Sequence, residues 1–186
     1  CSVASDLAMI TVSFVANKLG LASNSDACTR ATTDKYTMRS VLVEAGILCP
    51  EFVLASDFIG SKLDGYYPLI VKPTDRSGSR GVYKVHGRHE LEHAIEKSQS
   101  SSFSQRIIIE QYVQGREFSV EFISQDKKHH FLQITEKFTT GSPHFIEKGH
   151  LAPARINDFV AQRIVKTVVD ALVALDVSHG ASHTEV

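Results

Sequence analysis

The chain has 186 residues, 42% of them hydrophobic and 22% charged, with a formal net charge of −1. That length and balance fit one substantial domain or two small lobes; near-neutrality excludes the strongly basic surface of a nucleic-acid binder, and no run of about 18 apolar residues offers a helical membrane span. Three cysteines, Cys1, Cys28 and Cys49, contain no C-x-x-C pair and make no even framework, so neither a disulfide scaffold nor a zinc knuckle is expected, and a reducing, cytoplasmic compartment is.

The first residues, Cys1 to Asp6, lack an initiator Met and any basic-then-apolar leader pattern, and the chain reads as a piece cut from a longer one. Leu7, Ile10, Phe14, Val15 and Leu19 recur at helical spacing over residues 6–20, and Gly20 closes the run. Residues 24–33 are polar and turn-rich. A second helix is predicted from Thr33 or Asp34 to Ala45, with Met38, Val41, Leu42 and Ala45 on one face and Gly46 as its stop. After Pro50, β-branched and aromatic runs predict strands at 52–54, 69–71, 81–85, 107–112, 118–123 and 130–135. Helices are predicted at 88–98, through Leu91, Ala94 and Ile95, and at 157–175, after an Asn157 cap. Between the first of these and the next strand, Ser98 to Ser104 reads as a mobile serine-rich loop. Helices, a strand pair, a helix, more strands, a long helix and a last strand make an α+β chain, not an alternating βαβ array.

Chemistry concentrates in two stretches. Val71-Lys72-Pro73 ends an apolar strand and runs into Ser77-Gly78-Ser79-Arg80-Gly81. Bare glycines beside a lysine suit phosphate, because backbone N–H groups and an ammonium together hold a polyanion. The loop is neither a P-loop nor a dinucleotide fingerprint; it joins two strands and so forms a hairpin tip that can fold over a triphosphate. About thirty residues on comes Glu110-Gln111-Tyr112-Val113-Gln114-Gly115-Arg116-Glu117, a second apolar run ending in carboxylates. Taken alone, each stretch also has a plain reading: a hairpin turn, and solubilising charges at a strand edge.

In order and spacing these segments resemble an ATP-grasp domain, of the type found in carboxylate–amine ligases, biotin carboxylase-like enzymes and carbamoyl phosphate synthase large subunits. The resemblance runs from about Asn24 to the last residue. It includes Asp34-Lys35, Val71-Lys72-Pro73, the Ser77–Gly81 loop, Glu110–Glu117, Gly149-His150-Leu151-Ala152-Pro153 and Gly180–Glu185. It implies an ATP-grasp fold of two α+β lobes with ATP between them and final strands lying past residue 186. The implied division is a helical linker and first helices over 1–50, a small lobe with its glycine-rich lid over 51–112, and a large lobe over 113–186.

The same resemblance implies roles. Lys35 and Lys72 match lysines that contact ATP phosphates, under a lid made by Ser77, Gly78, Ser79 and Gly81; the plain alternative for Lys35 is a solvated surface lysine. Glu110 would accept from the adenine amine, with backbone groups of Gln111, Tyr112 and Val113 along the ring edge, and Glu117 would accept from both ribose hydroxyls. Glu185 matches a ligand to Mg2+, or to Mn2+ in its place. One carboxylate does not complete such a site, and the family's second acidic motif lies past this chain. His183 stands where some relatives place an arginine against an acyl phosphate. A metal pair of His179 and His183 is the poorer reading, since Gly180 interrupts the helix it needs. His150 and Lys137 would border the substrate or triphosphate, and Glu121 reads as structural. The implied activity is ATP-dependent ligation, in which a small-molecule carboxylate becomes an acyl phosphate that an amine attacks. No nucleic acid or membrane partner is expected, and an oligomer is open. The alternative is a nucleotide-binding module without turnover.

Overall fold

A computed structural model describes residues 8–142 and 145–186. Cys1 and the first positions of the helix expected from residue 6 lie outside the described residues. Three helices come first: α1 (Met9–Lys18), α2 (Asp26–Thr33) and α3 (Lys35–Glu44). The apolar stripe expected to bury α1 is turned outward: Ile10, Phe14, Val15 and Leu19 are all exposed. The helix instead packs on α2 through a small polar contact, the buried Ser13 accepting from Thr29 Oγ1 at 2.8 Å. Periodicity marks a helix but does not say which face its neighbours cover.

Helix α2 corrects the expectation of a turn-rich segment over 24–33. Ser25 caps it by accepting from the Cys28 amide at 3.1 Å, and the Thr32 and Thr33 hydroxyls fold back onto the carbonyls of Cys28 and Thr29. With their polar groups satisfied inside the helix, the threonines no longer compete with it, and Cys28, Thr29 and Ala31 are buried. Helix α3 starts at its Asp34 cap, which accepts from the Thr37 amide at 2.8 Å, and ends on Gly46 at φ +74, a backbone that favours glycine.

The first sheet has the order β1 (Phe52–Leu54), β4 (Ile107–Gln111), β2 (Leu69–Pro73), β3 (Tyr83–Val85), antiparallel throughout. Helix α4 (Arg88–Ser101) packs on it and seals a core of Leu69, Val71, Val85, Leu91, Ala94 and Ile109. The serine-rich segment expected to be mobile is largely the end of α4 and an anchored turn. Asp75 accepts from Ser102 Oγ at 3.0 Å and from the Ser104 amide at 2.6 Å, and buried Ser98 donates to the Gly81 carbonyl at 2.9 Å. The serines have two fixed acceptors at the ends of the β2–β3 loop, which composition alone cannot show.

The second sheet has the order β7 (Glu147–Leu151), β6 (Lys128–Thr139), β5 (Glu117–Gln125), β8 (Gly180–Glu185), also antiparallel. Alternation along β5 separates its faces. Phe118, Val120 and Phe122 point to a core shared with helix α5 (Asp158–Ala174) through Val168, Ala171 and Leu172. Glu117, Ser119 and Glu121 take the other face. Cys28, Ala31 and Leu42 join the core of this second sheet, so α2 and α3 are packed with residues 113–186. Asn24 ties the N-terminal helices to the start of β8: its carboxamide oxygen accepts from the amides of Ser178 and His179 at 2.8 and 3.0 Å. No described helix is long and apolar enough to cross a membrane.

Candidate functional site

The elements gather two clusters of opposite charge, one on each sheet. In the first sheet Glu110 pairs in register with Ile70, which puts Lys72 two residues along on the same face. The Lys72 ammonium lies 2.5 Å from Glu110 Oε2, and Arg39, from α3, places its Nε 3.1 Å from Glu110 Oε1. The Glu110 side chain is only 5% exposed. Burial by itself would raise its pKa, but the charges of Lys72 and Arg39 outweigh that and hold the carboxyl below the usual range.

Lys35, the first residue of α3, donates its backbone N–H to the Thr74 carbonyl at 2.9 Å and its ammonium to the Arg76 carbonyl. It therefore lies against the root of the β2–β3 loop. Ser77, Gly78, Ser79 and Gly81 form that loop, with Gly78, Ser79 and Gly81 at φ +65, +55 and +73. At Gly81 a β-carbon would meet Pro73 Cγ and the Ser101 β-carbon at 3.0 Å, so glycine serves both the turn and the close approach there. The loop tip reaches the second half of the chain, where Ser79 Oγ donates to the Phe145 carbonyl at 3.3 Å.

Along the connection between the sheets, the Gln111 amide donates to the Glu51 carbonyl at 2.9 Å and the Tyr112 amide to the Pro68 carbonyl at 3.3 Å. The Lys84 ammonium sits 3.6 Å from the centre of the Tyr112 ring, and Val113 is exposed. Arg116, inside this segment, takes a structural place: it grips Glu136 with two bonds of 2.8 and 2.7 Å and donates to the Arg155 carbonyl.

The second cluster is built on Lys137 of β6. Its side chain is 4% exposed, and its ammonium stands 3.0 Å from Glu117, 3.0 Å from Glu147 and 2.5 Å from Glu185. Burial opposes the lysine's charge, but the three carboxylates hold the proton on it well beyond the ordinary range. Glu185 is itself held below the usual carboxylate range: burial would raise it, and the Lys137 hydrogen bond with the charges of Lys137, His183 and Lys72 lowers it. Lys72 belongs to the first sheet, so its influence on Glu185 joins the two clusters across the gap between sheets. His183 lies directly opposite Glu121 in the β5–β8 ladder, with Nδ1 3.1 Å from Glu121 Oε1. Glu121 also accepts from Ser119 Oγ at 2.8 Å and shares the face that carries Glu117. His150 approaches Glu147 at 3.5 Å.

Among the described residues no three His, Cys, Asp or Glu side chains stand close enough to hold a metal ion; the carboxylates meet on the Lys137 ammonium instead. The residues gathered here are thus Lys35, Lys72 and the loop on one side, and Glu117 and Glu185 on the other, with His183 next along β8. Sequence reasoning missed Arg39 and Glu147. Arg39 had a usable signal, since it follows Lys35 by four residues and shares its helical face. Glu147 had none, because β7 carries no apolar alternation.

Comparison with known proteins adds four findings. The ATP-grasp domain family matches residues 65–186. The D-alanine–D-alanine ligase of Thermosipho africanus is 30% identical over 167 residues, which cover 80% of this chain and 44% of that protein. The crystal structure of an L-amino acid ligase from Bacillus licheniformis superposes with a TM-score of 0.81 at 30% identity, over 97% of this chain and 43% of the other. The chain thus spans less than half the length of either. A D-alanine–D-alanine ligase from Bacillus anthracis, complexed with ATP, shares the fold at a TM-score of 0.72 and 22% identity, over 94% of this chain and 57% of that one.

Proposed function

Because this chain belongs to the ATP-grasp family, we propose that it forms the nucleotide site of an ATP-dependent ligase that activates an amino acid carboxylate as an acyl phosphate for attack by an amine. The observation that supports this best is the arrangement of charge. Two cations share the buried Glu110, and Lys35 and a glycine-bearing loop stand beside them. Such a set suits a polyphosphate, because positive charge exceeds what the local carboxylate can absorb. On this reading Lys35 and Lys72 hold phosphate oxygens, and Ser77, Gly78, Ser79 and Gly81 close over them and exclude water. Residues 110–113 line the adenine, and Glu117 takes the ribose hydroxyls. Residues 51–112 then act as the small lobe and 113–186 as the large one, with α2 and α3 bracing the latter.

Glu185 would be the protein's ligand to a magnesium ion, the remaining positions being filled by phosphate oxygens and water. The fit is partial, as Glu185 is the one carboxylate assigned to it; when bound, the ion would neutralise charge on the transferring phosphoryl group. His183, oriented by Glu121, would stand near the activated carboxylate. An amino acid is the proposed acceptor because the relatives matched at 30% identity are named for amino acid ligation, which also favours turnover over binding alone. The free thiols of Cys28 and Cys49 support a cytoplasmic setting.

Thermal stabilisation by magnesium-ATP tests the nucleotide site. A wild-type shift that Lys72→Ala abolishes is expected, and equal shifts in both proteins would count against it. Amino-acid-dependent ADP release tests the ligase step separately; release that no amino acid stimulates would sink that step while leaving nucleotide binding intact.

A further inference from the structure

A buried carboxylate must keep a counter-charge. Glu110 has two, one on each oxygen: Lys72 Nζ at 2.5 Å from Oε2 and Arg39 Nε at 3.1 Å from Oε1. The side chains of Lys72 and Arg39 are 16% and 21% exposed, so little water reaches the group. The two cations differ in kind. Lysine is a compact charge on a flexible stem with three donors and can turn from one acceptor to another, whereas the guanidinium is a planar fork that holds its geometry. If Lys72 alone neutralised Glu110, handing it to a phosphate would leave a bare buried carboxylate, which is strongly unfavourable.

We propose that Arg39 is a positioning residue of the nucleotide site, holding Glu110 neutralised so that the Lys72 ammonium can engage a phosphate. The inference rests on the nucleotide reading above and deepens it. The fold explains why Arg39 is available. Asp34 caps α3 at the Thr37 amide, which fixes where the helix begins. Lys35 and Arg39 then fall one turn apart on the face toward the first sheet, while Met38, Val41 and Leu42 face the core of the second. One helix thereby carries a cation to the root of the phosphate loop and another to Glu110, where the expected adenine-lining segment begins. Arg39 needs no contact with the nucleotide in this role; it acts through Glu110 on Lys72.

The test is a double-mutant cycle on magnesium-ATP affinity by isothermal titration calorimetry, with wild type, Lys72→Ala, Arg39→Met, Glu110→Gln and the Glu110→Gln/Arg39→Met pair. Arg39→Met is expected to weaken ATP binding by about tenfold or more, because Glu110 then retains Lys72. Glu110→Gln removes the charge that needs neutralising and keeps an oxygen that accepts. In that background, loss of Arg39 is expected to change affinity by less than about threefold. Neither member of this second comparison buries an unpaired carboxylate, so it remains decisive even if Arg39→Met alone fails to fold. A tenfold loss on removing Arg39 in the Glu110→Gln background overturns the inference, as does wild-type affinity in a folded Arg39→Met protein while Lys72→Ala is impaired. If the wild type binds no ATP, or Lys72→Ala binds it normally, the nucleotide reading itself fails and carries this inference with it.

Discussion

The Glu110 and Lys137 clusters are built from the same charges in opposite proportion. In the first sheet one buried carboxylate sits between two cations, Lys72 and Arg39. In the second, one buried cation sits among three carboxylates, Glu117, Glu147 and Glu185. The exposure pattern is inverted too. The shared carboxylate is buried in the first case, whereas in the second the carboxylates are each 42–59% exposed around a buried lysine. Neither cluster is therefore simply a stabilising ion pair, since each keeps charge it does not neutralise. On the reading proposed here, the surplus positive side receives phosphate, and the surplus negative side receives ribose and a divalent cation.

If burial, not the number of ion pairs, separates the clusters, removing the counter-charges of Glu110 should cost the most. The Lys72→Ala/Arg39→Met double variant strands Glu110 and is expected to lose roughly 3–5 kcal/mol in urea unfolding at neutral pH. Adding Glu110→Gln should restore most of it. Stripping the second cluster with Glu117→Gln and Glu147→Gln leaves Lys137 paired to Glu185 and should cost far less; equal losses would break the distinction.

Next in size is the ligand effect. Saturating magnesium-ATP at about a hundred times its Kd should stabilise the wild type by about 2.7 kcal/mol. Calorimetric melting should show that shift lost in Lys72→Ala, whereas Glu185→Gln should keep the ATP effect and lose most of its dependence on the metal. A Glu185 variant with unchanged metal dependence would remove the cation from the second cluster's role.

A smaller effect concerns the loop between the clusters. Gly81→Ala is expected to cost about 1–3 kcal/mol, from a strained φ and from contact with Pro73 and Ser101. Gly78→Ala faces open space and should cost only about 1 kcal/mol. Paired urea melts compare them, and equal costs would mean that strain alone matters.

The smallest effect is in pH. Glu110 and Glu185 both have folded values below the ordinary one, so each contributes stability that is present above the unfolded value near 4.3 and is lost as pH falls through the folded value. The slope is at most about 1.4 kcal/mol per pH unit for each group. Glu110→Gln should flatten acid unfolding more than Glu185→Gln does, because Glu110 is the more buried. At the alkaline end the sign reverses for Cys28, whose thiol is raised by burial and by Asp176 to about 11. Stability there is full below the ordinary thiol range and falls as pH rises toward 11, and Cys28→Ser should remove that fall.

Much of the fold was legible because its signals are local. The Asp34 and Asn157 caps, the Gly46 stop, and the β-branched runs at 69–71 and 107–112 act within a few residues of themselves, and each element appears within a few residues of where its pattern puts it. Helix α2 and strand β7 escaped for a related reason: their polar residues are satisfied by side-chain bonds and by the neighbouring strand, which hydrophobic patterning does not report. The outward turn of Ile10 and Phe14 shows the converse, a clear pattern whose burying face is set elsewhere.

Residue order and type suffice for the α+β class, the order of the elements, and the expectation of a nucleotide site at Lys35, Lys72, the Ser77–Gly81 loop and Glu110–Glu117. How those charges combine is set by packing. Glu110 is buried between Lys72 and Arg39 because α3 brings Arg39 to the end of β4, and Glu185 meets Lys137 because β8 and β6 flank β5. Charge pairing depends on distances between residues far apart in the chain, and burial sets how strongly each pair is felt; both are properties of packing that no local pattern encodes.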